Sequence, residues 1–514
     1  MVNKIIIIFK SLNERQILFL LIGTAFILRL YAVLMAQGIA NDSAAYGFMA
    51  RDFLKGDFVK GLAIPGHPLY PLLISLFSMD SAHVEITGRL LSLFFGTLTI
   101  IPLYFLVKEA IGQKEALFSA LFYTFHPYLA TYSGMMLTEA AYWGLLVLSV
   151  YFFWTGLKRD KVWRMALSGF SLGLAYLTRP EGIGYILVYL AWIIVDGFLK
   201  KRWFKTIASI GVLISSVLII SSPYIIYIHQ ETGQWLISKK AVEAQSQLLK
   251  KGVEEITPLK GVEQSNPEKK NSKIIRMTRN ILHHFPSVAY HYLRAYHFSL
   301  WLILFFGLIR IRRKSIAYEL FLASLVLFHL LSLSTFLPST IRFSIPVIPL
   351  SLLWAGSGIL EMKRYMEIFK VSSPEKVVFL FIFFLILTQL PQSLTPERRH
   401  RAEQKKVGLW LKQNTPPDAV IMSNSPQETF YADREFMMLP EGSSPMGDPG
   451  KSYDEMIRYA KSKGVRYILV NKNTHERNPG FIDAIQSKDM SQAKDLKQLF
   501  RKADQLLTIY EVVY

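Results

Sequence analysis

Cysteine is absent from the 514 residues of this chain. Its absence excludes disulfide bonds, thiolate metal sites and a cysteine nucleophile, although it assigns no redox compartment. Acidic residues are also scarce, since 38 Asp and Glu stand against 58 Lys and Arg and give a formal net charge of +20. In a soluble protein this excess would suggest nucleic-acid binding. Here most of it falls in short loops between apolar segments, where membrane orientation explains it better.

Long apolar runs are what the chain has instead. Hydrophobic residues make up 51% of the sequence, and about eleven segments reach the length that spans a bilayer. The composition therefore predicts an all-α polytopic membrane protein. The first run is longer than the apolar region of a secretory signal, so we expect an uncleaved span. The segments are residues 16–36, 88–107, 115–132, 135–155, 163–178, 181–199, 206–229, 297–311, 317–337, 341–360 and 375–393.

Basic residues cluster in every second loop between these segments, which predicts that those loops are cytoplasmic. The N-terminus then lies in the cytoplasm, the last segment ends outside, and the protein is an integral protein of the cell (inner) membrane. The long loops 37–87 and 230–296 are exterior by the same rule. The clusters are Lys108/Lys114, residues 158–164, residues 200–205, residues 310–314 and Lys363/Arg364.

Two domains are predicted. Residues 1–393 form the transmembrane domain, and residues 394–514 form a small exterior soluble domain. Ala419–Met422 and Val465–Val470 have the composition of strands and Tyr453–Lys463 has helical spacing, which indicates an α/β domain. The sequence of this domain contains no phosphate loop, no Ser/His/Asp elbow and no metal-ligand cluster.

Asp42 follows the first span directly and begins an amphipathic stretch, as expected of a helix lying in the membrane interface. Two interpretations stay open. Asp42 is the N-cap of that helix, because Asp before a periodic apolar run is a common start signal. Alternatively, it is a carboxylate that acts on the polar head of a lipid-linked substrate.

Further polar residues are predicted at the same exterior face: His67, Glu139, Arg179, Glu181 and Arg342. Charges at the membrane edge are costly and are functional by default. Simpler interpretations also stand: Arg179 pairs with Glu181 across a tight turn, Arg342 anchors its helix at the interface, and His67 is an ordinary capped or exposed histidine. Glu139 is flanked by apolar residues and needs a partner or a proton.

Together these residues fit group transfer from a lipid phosphate. Asp42 would accept a proton from the attacking hydroxyl or amine. Arg342, with Arg179, would hold the leaving phosphate through its guanidinium fork. The motifs that carry them are Asp42-Ser43-Ala44-Ala45-Tyr46 with Met49-Ala50-Arg51, Gly66-His67-Pro68-Leu69-Tyr70-Pro71-Leu72-Leu73, Leu137-Thr138-Glu139, Thr178-Arg179-Pro180-Glu181-Gly182 and Arg342-Phe343-Ser344-Ile345-Pro346-Val347-Ile348-Pro349.

The order of these motifs resembles the GT-C glycosyltransferases, in the branch of protein O-mannosyltransferases and aminoarabinose lipid A transferases. The resemblance implies that Asp42 is the catalytic base and adds Tyr46 and Arg51 to the substrate-binding residues. It also implies a polyprenyl-phosphate sugar donor and a lipid, protein or glycan acceptor, with no nucleic acid.

Two positions depart from the family pattern. Ser43 stands where many members carry a second acid, and Gly66-His67-Pro68-Leu69 replaces the Glu-Lys-Pro-Pro stretch of aminoarabinose transferases. That stretch supplies their metal-binding glutamate and lipid-phosphate lysine. No metal or other cofactor is therefore assigned, and nothing in the sequence supports a divalent metal.

Two alternative classes of function remain for a polytopic membrane protein. A lipid or solute transporter, or a flippase, would show inverted repeats with interrupted helices, and the sequence has no such internal symmetry. A non-catalytic scaffold of the cell envelope would use residues 394–514 as its binding module, and the acid at Asp42 argues against it.

Overall fold

The computed structural model describes ten parts of the chain, and the statements below refer to them. They are residues 12–239, 267–310, 316–336, 340–395, 401–440, 453–471, 474, 485, 495–502 and 507–514.

Helices make up nearly all of the described chain before residue 395. Three short 3-10 turns, Pro180–Gly184, Phe298–Leu300 and Ile345–Val347, join consecutive α-helices. The α-helices are α1 (Glu14–Met35), α2 (Asn41–Leu54), α3 (Phe58–Ala63), α4 (Leu69–Phe77), α5 (Val84–Leu98), α6 (Ile100–Ala110), α7 (Gln113–Phe125), α8 (Pro127–Tyr132), α9 (Glu139–Lys158), α10 (Val162–Thr178), α11 (Tyr185–Lys200), α12 (Trp203–Thr232), α13 (Pro267–Tyr296), α14 (Trp301–Ile309), α15 (Ile316–Phe336), α16 (Ile341–Ser344), α17 (Ile348–Ile368) and α18 (Pro374–Leu394).

The predicted polytopic helical fold is confirmed, with a smaller number of full spans. Among the described residues, eight helices are long and apolar enough to cross a membrane, or nine if a pair bent by 83° near residue 297 counts as one. The predicted span 115–132 is divided at Pro127, because a proline at the first helical position starts a new helix. The predicted span 163–178 is a helix of 17 residues, and 297–311 supplies the short arm of the bent pair.

The two long loops contain helices. In the first, α2, α3 and α4 occupy the segment where interfacial helices were predicted. In the second, predicted as 230–296, α12 continues to Thr232 and α13 occupies Pro267–Tyr296. The polar stretch 240–266 lies outside the described residues.

The C-terminal part is the predicted small α/β domain, built on a five-stranded sheet of order β2-β1-β3-β5-β4. Strands β1, β2 and β3 are parallel, and β5 is antiparallel to both β3 and β4. The sequence did not predict the edge strands β2 and β4, which are short or charged as edge strands commonly are. The elements are α19 (Ala402–Asn414), β1 (Val420–Ser423), α20 (Pro426–Ala432), β2 (Glu435–Met438), α21 (Tyr453–Ser462), β3 (Val465–Val470), β4 (Leu496–Lys502) and β5 (Leu507–Val512). The division at 393/394 stays a prediction.

The C-terminal domain packs on α2, the helix that carries Asp42. A Cβ atom added to Gly47 would lie 2.3 Å from Cε2 of Phe430, so α2 and α20 meet at this glycine. Arg51 donates a hydrogen bond to the Phe430 carbonyl (2.9 Å) and pairs with Asp433 (3.3 Å). These contacts fix the C-terminal domain directly above the predicted site.

Candidate active site

Asp42 stands in the first turn of α2, where a negative charge is favoured by the helix dipole. The N-cap of this helix is Ala40, so Asp42 is not the N-cap and that interpretation of its role is wrong. Its Oδ2 instead accepts a hydrogen bond from Nη1 of Arg342 at 2.7 Å. The Asp42 side chain is 40% exposed, so it remains accessible to a substrate while it is paired.

Glu139, the first residue of α9, lies at the centre of the charged cluster and its side chain is fully buried. Its Oε1 accepts hydrogen bonds from Nη1 of Arg179 (3.0 Å) and from Nε of Arg342. Its Oε2 is also buried and has no hydrogen-bond partner within the described part of the chain. Two guanidinium groups therefore compensate one carboxylate, as the burial of a charge requires.

Arg342 joins the exposed and the buried carboxylates. It lies 300 residues from Asp42 and 203 from Glu139 in sequence, and its side chain is 20% exposed. Its Nε and Nη1 are the two atoms that donate to these carboxylates. Arg342 thus links α2, after the first span, to the buried start of α9.

Arg179 is the second cation of the cluster. The predicted pair with Glu181 is present, with Nη2 at 3.1 Å from Oε1 and Nε at 3.4 Å from Oε2. The guanidinium also lies over the rings of Tyr142 (5.7 Å) and Phe343 (5.6 Å). Arg179 therefore pairs locally and reaches Glu139 as well, so the two interpretations from sequence are compatible.

A histidine that sequence reasoning missed supports this arrangement. The Nε2 atom of His329 donates to the carbonyl of Phe343 (2.8 Å), because a carbonyl only accepts. Nδ1 is then the acceptor for the Tyr185 hydroxyl at 2.9 Å. His329 thereby fixes the backbone next to Arg342. A histidine within the apolar run 317–337 is the signal that could have found it.

Five of the eight predicted site residues come together: Asp42, Glu139, Arg179, Glu181 and Arg342. His67 lies apart from this cluster and is buried between the rings of Tyr176 and Tyr224. The centroid of its imidazole ring is 5.1 Å from the centroid of each tyrosine ring.

The other two predicted residues belong to α2. Tyr46 packs edge-on against Tyr70, with the ring centroids 6.0 Å apart, and it lines a cleft beside Asp42. Arg51 also lines that cleft, and its guanidinium contacts Ser81, Phe430 and Asp433. The substrate-binding roles of His67, Tyr46 and Arg51 stay predictions.

The cleft separates α2 from the C-terminal domain and has a volume of about 740 Å³. Asp42 lies on the α2 side, and residues of β2 and of the loop after β1 form the opposite wall. The cleft therefore gives the exposed carboxylate access to a bound molecule. Its lining residues are Asn41, Asp42, Ala45, Tyr46, Phe48, Arg51, Asp52, Lys55, Lys60, Ile64, Pro65, Pro417, Asp418, Asn424, Pro426, Asp433, Arg434, Glu435, Phe436 and Met438.

Within the described ranges, no three or more His, Asp or Glu side chains are arranged to hold a metal ion. No residue is assigned as a metal ligand.

Comparison with known proteins identifies the fold. Residues 65–227 match the family model described as dolichyl-phosphate-mannose-protein mannosyltransferase. No curated protein sequence matches the chain.

Several solved structures share its fold at low sequence identity. ArnT from Cupriavidus metallidurans, bound to undecaprenyl phosphate, is 12% identical with a TM-score of 0.61, and the match covers 96% of this chain and 98% of that one. The oligosaccharyltransferase AglB from Archaeoglobus fulgidus, in complex with an inhibitory peptide and a dolichol-phosphate, is 11% identical with a TM-score of 0.52 and coverages of 89% and 70%. The arabinofuranosyltransferase AftD from Mycobacteria is 13% identical with a TM-score of 0.50, covering 98% of this chain and 40% of that one. The predicted resemblance to GT-C glycosyltransferases is confirmed, and the chain has their membrane fold.

Proposed function

We propose that this protein is a glycosyltransferase that moves a sugar from a polyprenyl-phosphate donor to a lipid, protein or glycan acceptor at the exterior membrane face. Asp42 is the general base. The observation that carries the proposal is the double contact of Arg342, which ties an accessible carboxylate to a buried one at the side of the cleft. The matched mannosyltransferase family and the lipid-phosphate complexes of ArnT and AglB support the class of donor.

The proposed reaction is a displacement at the anomeric carbon of the donor sugar. The acceptor oxygen or nitrogen forms a bond to this carbon, and the bond from the carbon to the phosphate oxygen breaks. The electron pair leaves with the phosphate, and the acceptor proton passes to Asp42. The products are the glycosylated acceptor and free polyprenyl phosphate.

Arg342 has two roles in this scheme. As negative charge grows on the leaving phosphate, a fixed guanidinium next to it lowers the barrier. The donor phosphate competes with Asp42 for Nη1 of Arg342, so donor binding releases Asp42 to accept a proton. Glu139 keeps Arg342 in place during this exchange through the hydrogen bond to Nε.

The test of the base is Asp42→Asn in purified protein in nanodiscs. Asn keeps the shape of the side chain but does not accept a proton at neutral pH, so transfer should fall by roughly 10²–10⁴-fold. The assay is release of polyprenyl phosphate from polyprenyl-phosphate mannose, glucose and aminoarabinose, with an envelope extract of the source cell as acceptor. Binding of undecaprenyl phosphate, followed by native mass spectrometry, should persist.

The matched control is Asp57→Asn. Asp57 is exposed in the same exterior segment and caps α3 by accepting from the Lys60 amide at 2.9 Å. Asn caps a helix about as well as Asp, so this variant should keep full activity. A folded Asp42→Asn protein with wild-type transfer would remove Asp42 from the mechanism and leave Glu139 or Glu181 as the base.

A further inference from the structure

We propose that the cleft between α2 and the C-terminal domain binds the acceptor as a saccharide, and that Asn424 hydrogen-bonds it. This inference rests on the proposed function, because it names the acceptor of the same site. A volume of about 740 Å³ accommodates a small oligosaccharide, and sites for small molecules commonly measure roughly 300–1,000 Å³. Asp42 lines the same cleft, so a hydroxyl bound there has a base beside it.

Asn424 is the residue that points to a ligand. It is 3% exposed, it lines the cleft, and neither its Oδ1 nor its Nδ2 has a hydrogen-bond partner among the residues described. A buried carboxamide left unsatisfied is costly, so a protein retains one where a ligand completes its hydrogen bonds. A carboxamide both donates and accepts, which suits the hydroxyl groups of a sugar.

The position of Asn424 in the sheet supports the same conclusion. It directly follows β1, whose neighbours on either side are β2 and β3, both parallel to it. The chain leaves β1 toward β2 and later returns on the other side to form β3. In parallel sheets, ligands bind outside the carboxyl ends of strands at such a switch point.

The charge and shape of the lining favour a neutral polar molecule. Five acidic and four basic side chains line the cleft, so neither an anionic acceptor nor an acyl chain is matched to it. Aromatic rings lie among them: Phe48 and Phe436 stack at 5.6 Å with an angle of 5° between their planes, and Tyr46 lines the wall beside Asp42. Aromatic faces next to carboxamides and carboxylates are the combination that binds the apolar faces and hydroxyls of a sugar.

A series of hydrogen bonds connects the two walls of the cleft. The Nε2 atom of Gln427, on α20, donates to Oδ1 of Asn41, the neighbour of Asp42. Ser425, the neighbour of Asn424, donates to Oε1 of Gln427 at 3.0 Å. The residue proposed to bind the acceptor and the proposed base are therefore coupled through their immediate neighbours.

The experiment compares Asn424→Ala with Asn414→Ala in the full chain in nanodiscs. Asn414 is exposed at the end of α19, outside the cleft. The probes are mannobiose, cellobiose and N,N′-diacetylchitobiose, with a Ser/Thr-containing octapeptide for comparison, and binding is followed by saturation-transfer NMR. Wild type and Asn414→Ala should bind at least one disaccharide, and Asn424→Ala should bind it at least about tenfold more weakly.

Two further readouts separate ligand binding from structure and from catalysis. The Tm of Asn424→Ala should not fall, because the structure shows no internal hydrogen bond that the substitution breaks. Its KM for the acceptor should rise while donor binding stays unchanged. If the Asp42→Asn protein keeps full activity and still binds the saccharide through Asn424, Asp42 is not the base, but the assignment of the cleft stands. Binding of the peptide alone, equal saccharide binding by both Asn variants, or a clear loss of Tm would overturn the cleft assignment.

Discussion

The two ends of the membrane domain each bury a carboxylate against arginine, in different ways. At the predicted cytoplasmic end, Arg310 pairs with Glu319 in the first turn of α15, and their side chains are 5% and 2% exposed. At the other end, Glu139 is shared by Arg179 and Arg342, and Arg342 continues to Asp42, which is 40% exposed. Both partners of the first arrangement are buried, which makes it a closed pair. The second extends from the buried Glu139 to the exposed Asp42 at the cleft.

The two arrangements differ in whether one carboxylate can change its protonation state while the other charges stay paired. In a closed pair, removal of either charge leaves the other uncompensated, and that typically costs several kcal/mol. In the charged cluster around Glu139, Asp42 can take up a proton while Arg342 keeps Glu139 as its partner. Three carboxylates share two guanidinium groups there, counting Glu181. Of the three, Asp42 has the most exposed side chain, as its proposed role as general base requires.

Labelling of single cysteines identifies the outer end with an all-or-none result. The chain has no native thiol. Ser462→Cys, exposed at the end of α21, and Lys161→Cys, exposed between α9 and α10, are predicted on opposite sides of the membrane. An impermeant maleimide on intact cells should label only Ser462→Cys. The reverse pattern would place the Glu139 cluster in the cytoplasm and overturn the exterior site.

Matched removal of the two buried carboxylates gives the next largest effect. Glu319→Gln removes the carboxylate that pairs with the buried Arg310, so it should lower the free energy of unfolding by about 3–5 kcal/mol. Glu139→Gln should lower it less, because Arg179 keeps Glu181 and Arg342 keeps Asp42. Only Glu139→Gln should also reduce transfer per folded molecule, by at least about tenfold. Activity is normalised to the folded fraction from thermal unfolding in detergent. Equal losses of specific activity would abolish the distinction between the two ends.

A third buried carboxylate extends the comparison, because no cation pairs with it in the described part of the chain. Glu428 in α20 is 3% exposed. Burial raises its pKa from the ordinary 4.5 to about 7, against the smaller opposing effect of hydrogen bonds from the backbone and from neighbouring polar side chains. The folded state therefore holds the proton more tightly than the unfolded state, and this stabilisation is present below pH 4.5 and lost as the pH rises through 7.

The test is the Tm of wild type and of Glu428→Gln between pH 5 and 8. The free energy of unfolding of wild type should fall by up to roughly 3 kcal/mol relative to that of the variant as the pH rises through this range. The size follows from the pKa of Glu428, which is 4.5 in the unfolded chain and about 7 in the folded one. The Gln variant, which carries no titrating group at this position, provides the baseline. Parallel curves would mean that Glu428 does not titrate in this range.

The smallest expected effect is the loss of lipid-phosphate affinity when the planar guanidinium of Arg342 is replaced. Arg342→Lys keeps the charge but replaces the planar fork with a point charge. Affinity for undecaprenyl phosphate should fall about tenfold, which corresponds to roughly 1.4 kcal/mol. Arg310→Lys at the closed pair is the matched control and should leave lipid binding unchanged. Unchanged affinity of Arg342→Lys and of Arg342→Ala would refute the phosphate role.

Periodicity and charge asymmetry explain why much of the fold and part of the site were predictable. The apolar runs place the long helices, and the alternating basic loops put Asp42, Glu139 and Arg342 at one face although they are far apart in sequence. They do not specify which side chains pair. The double contact of Arg342 depends on how α2, α9 and α16 pack, and no local pattern encodes that.

Features of the C-terminal domain were harder to predict for physical reasons. Helix α20 has seven residues and strand β2 has four, which is too short for a clear periodic signal. In the sequence, Asn424 has the character of an ordinary turn residue, and its burial at the cleft is visible only in the structure. Arg51 illustrates the opposite case, because its motif suggested a substrate contact and the structure shows it held by the C-terminal domain.

The contact at Gly47 sets the spacing between the two walls of the cleft. The ring of Phe430 lies where a methyl group at residue 47 would be, so this ring on α20 packs directly on the backbone of α2. We expect a single added carbon at this position to displace the Phe430 ring and to change the distance between the two walls, because nothing but this ring lies within 3.1 Å of it among the nearest atoms. The width of the cleft would then change by one substitution at a position outside the charged cluster.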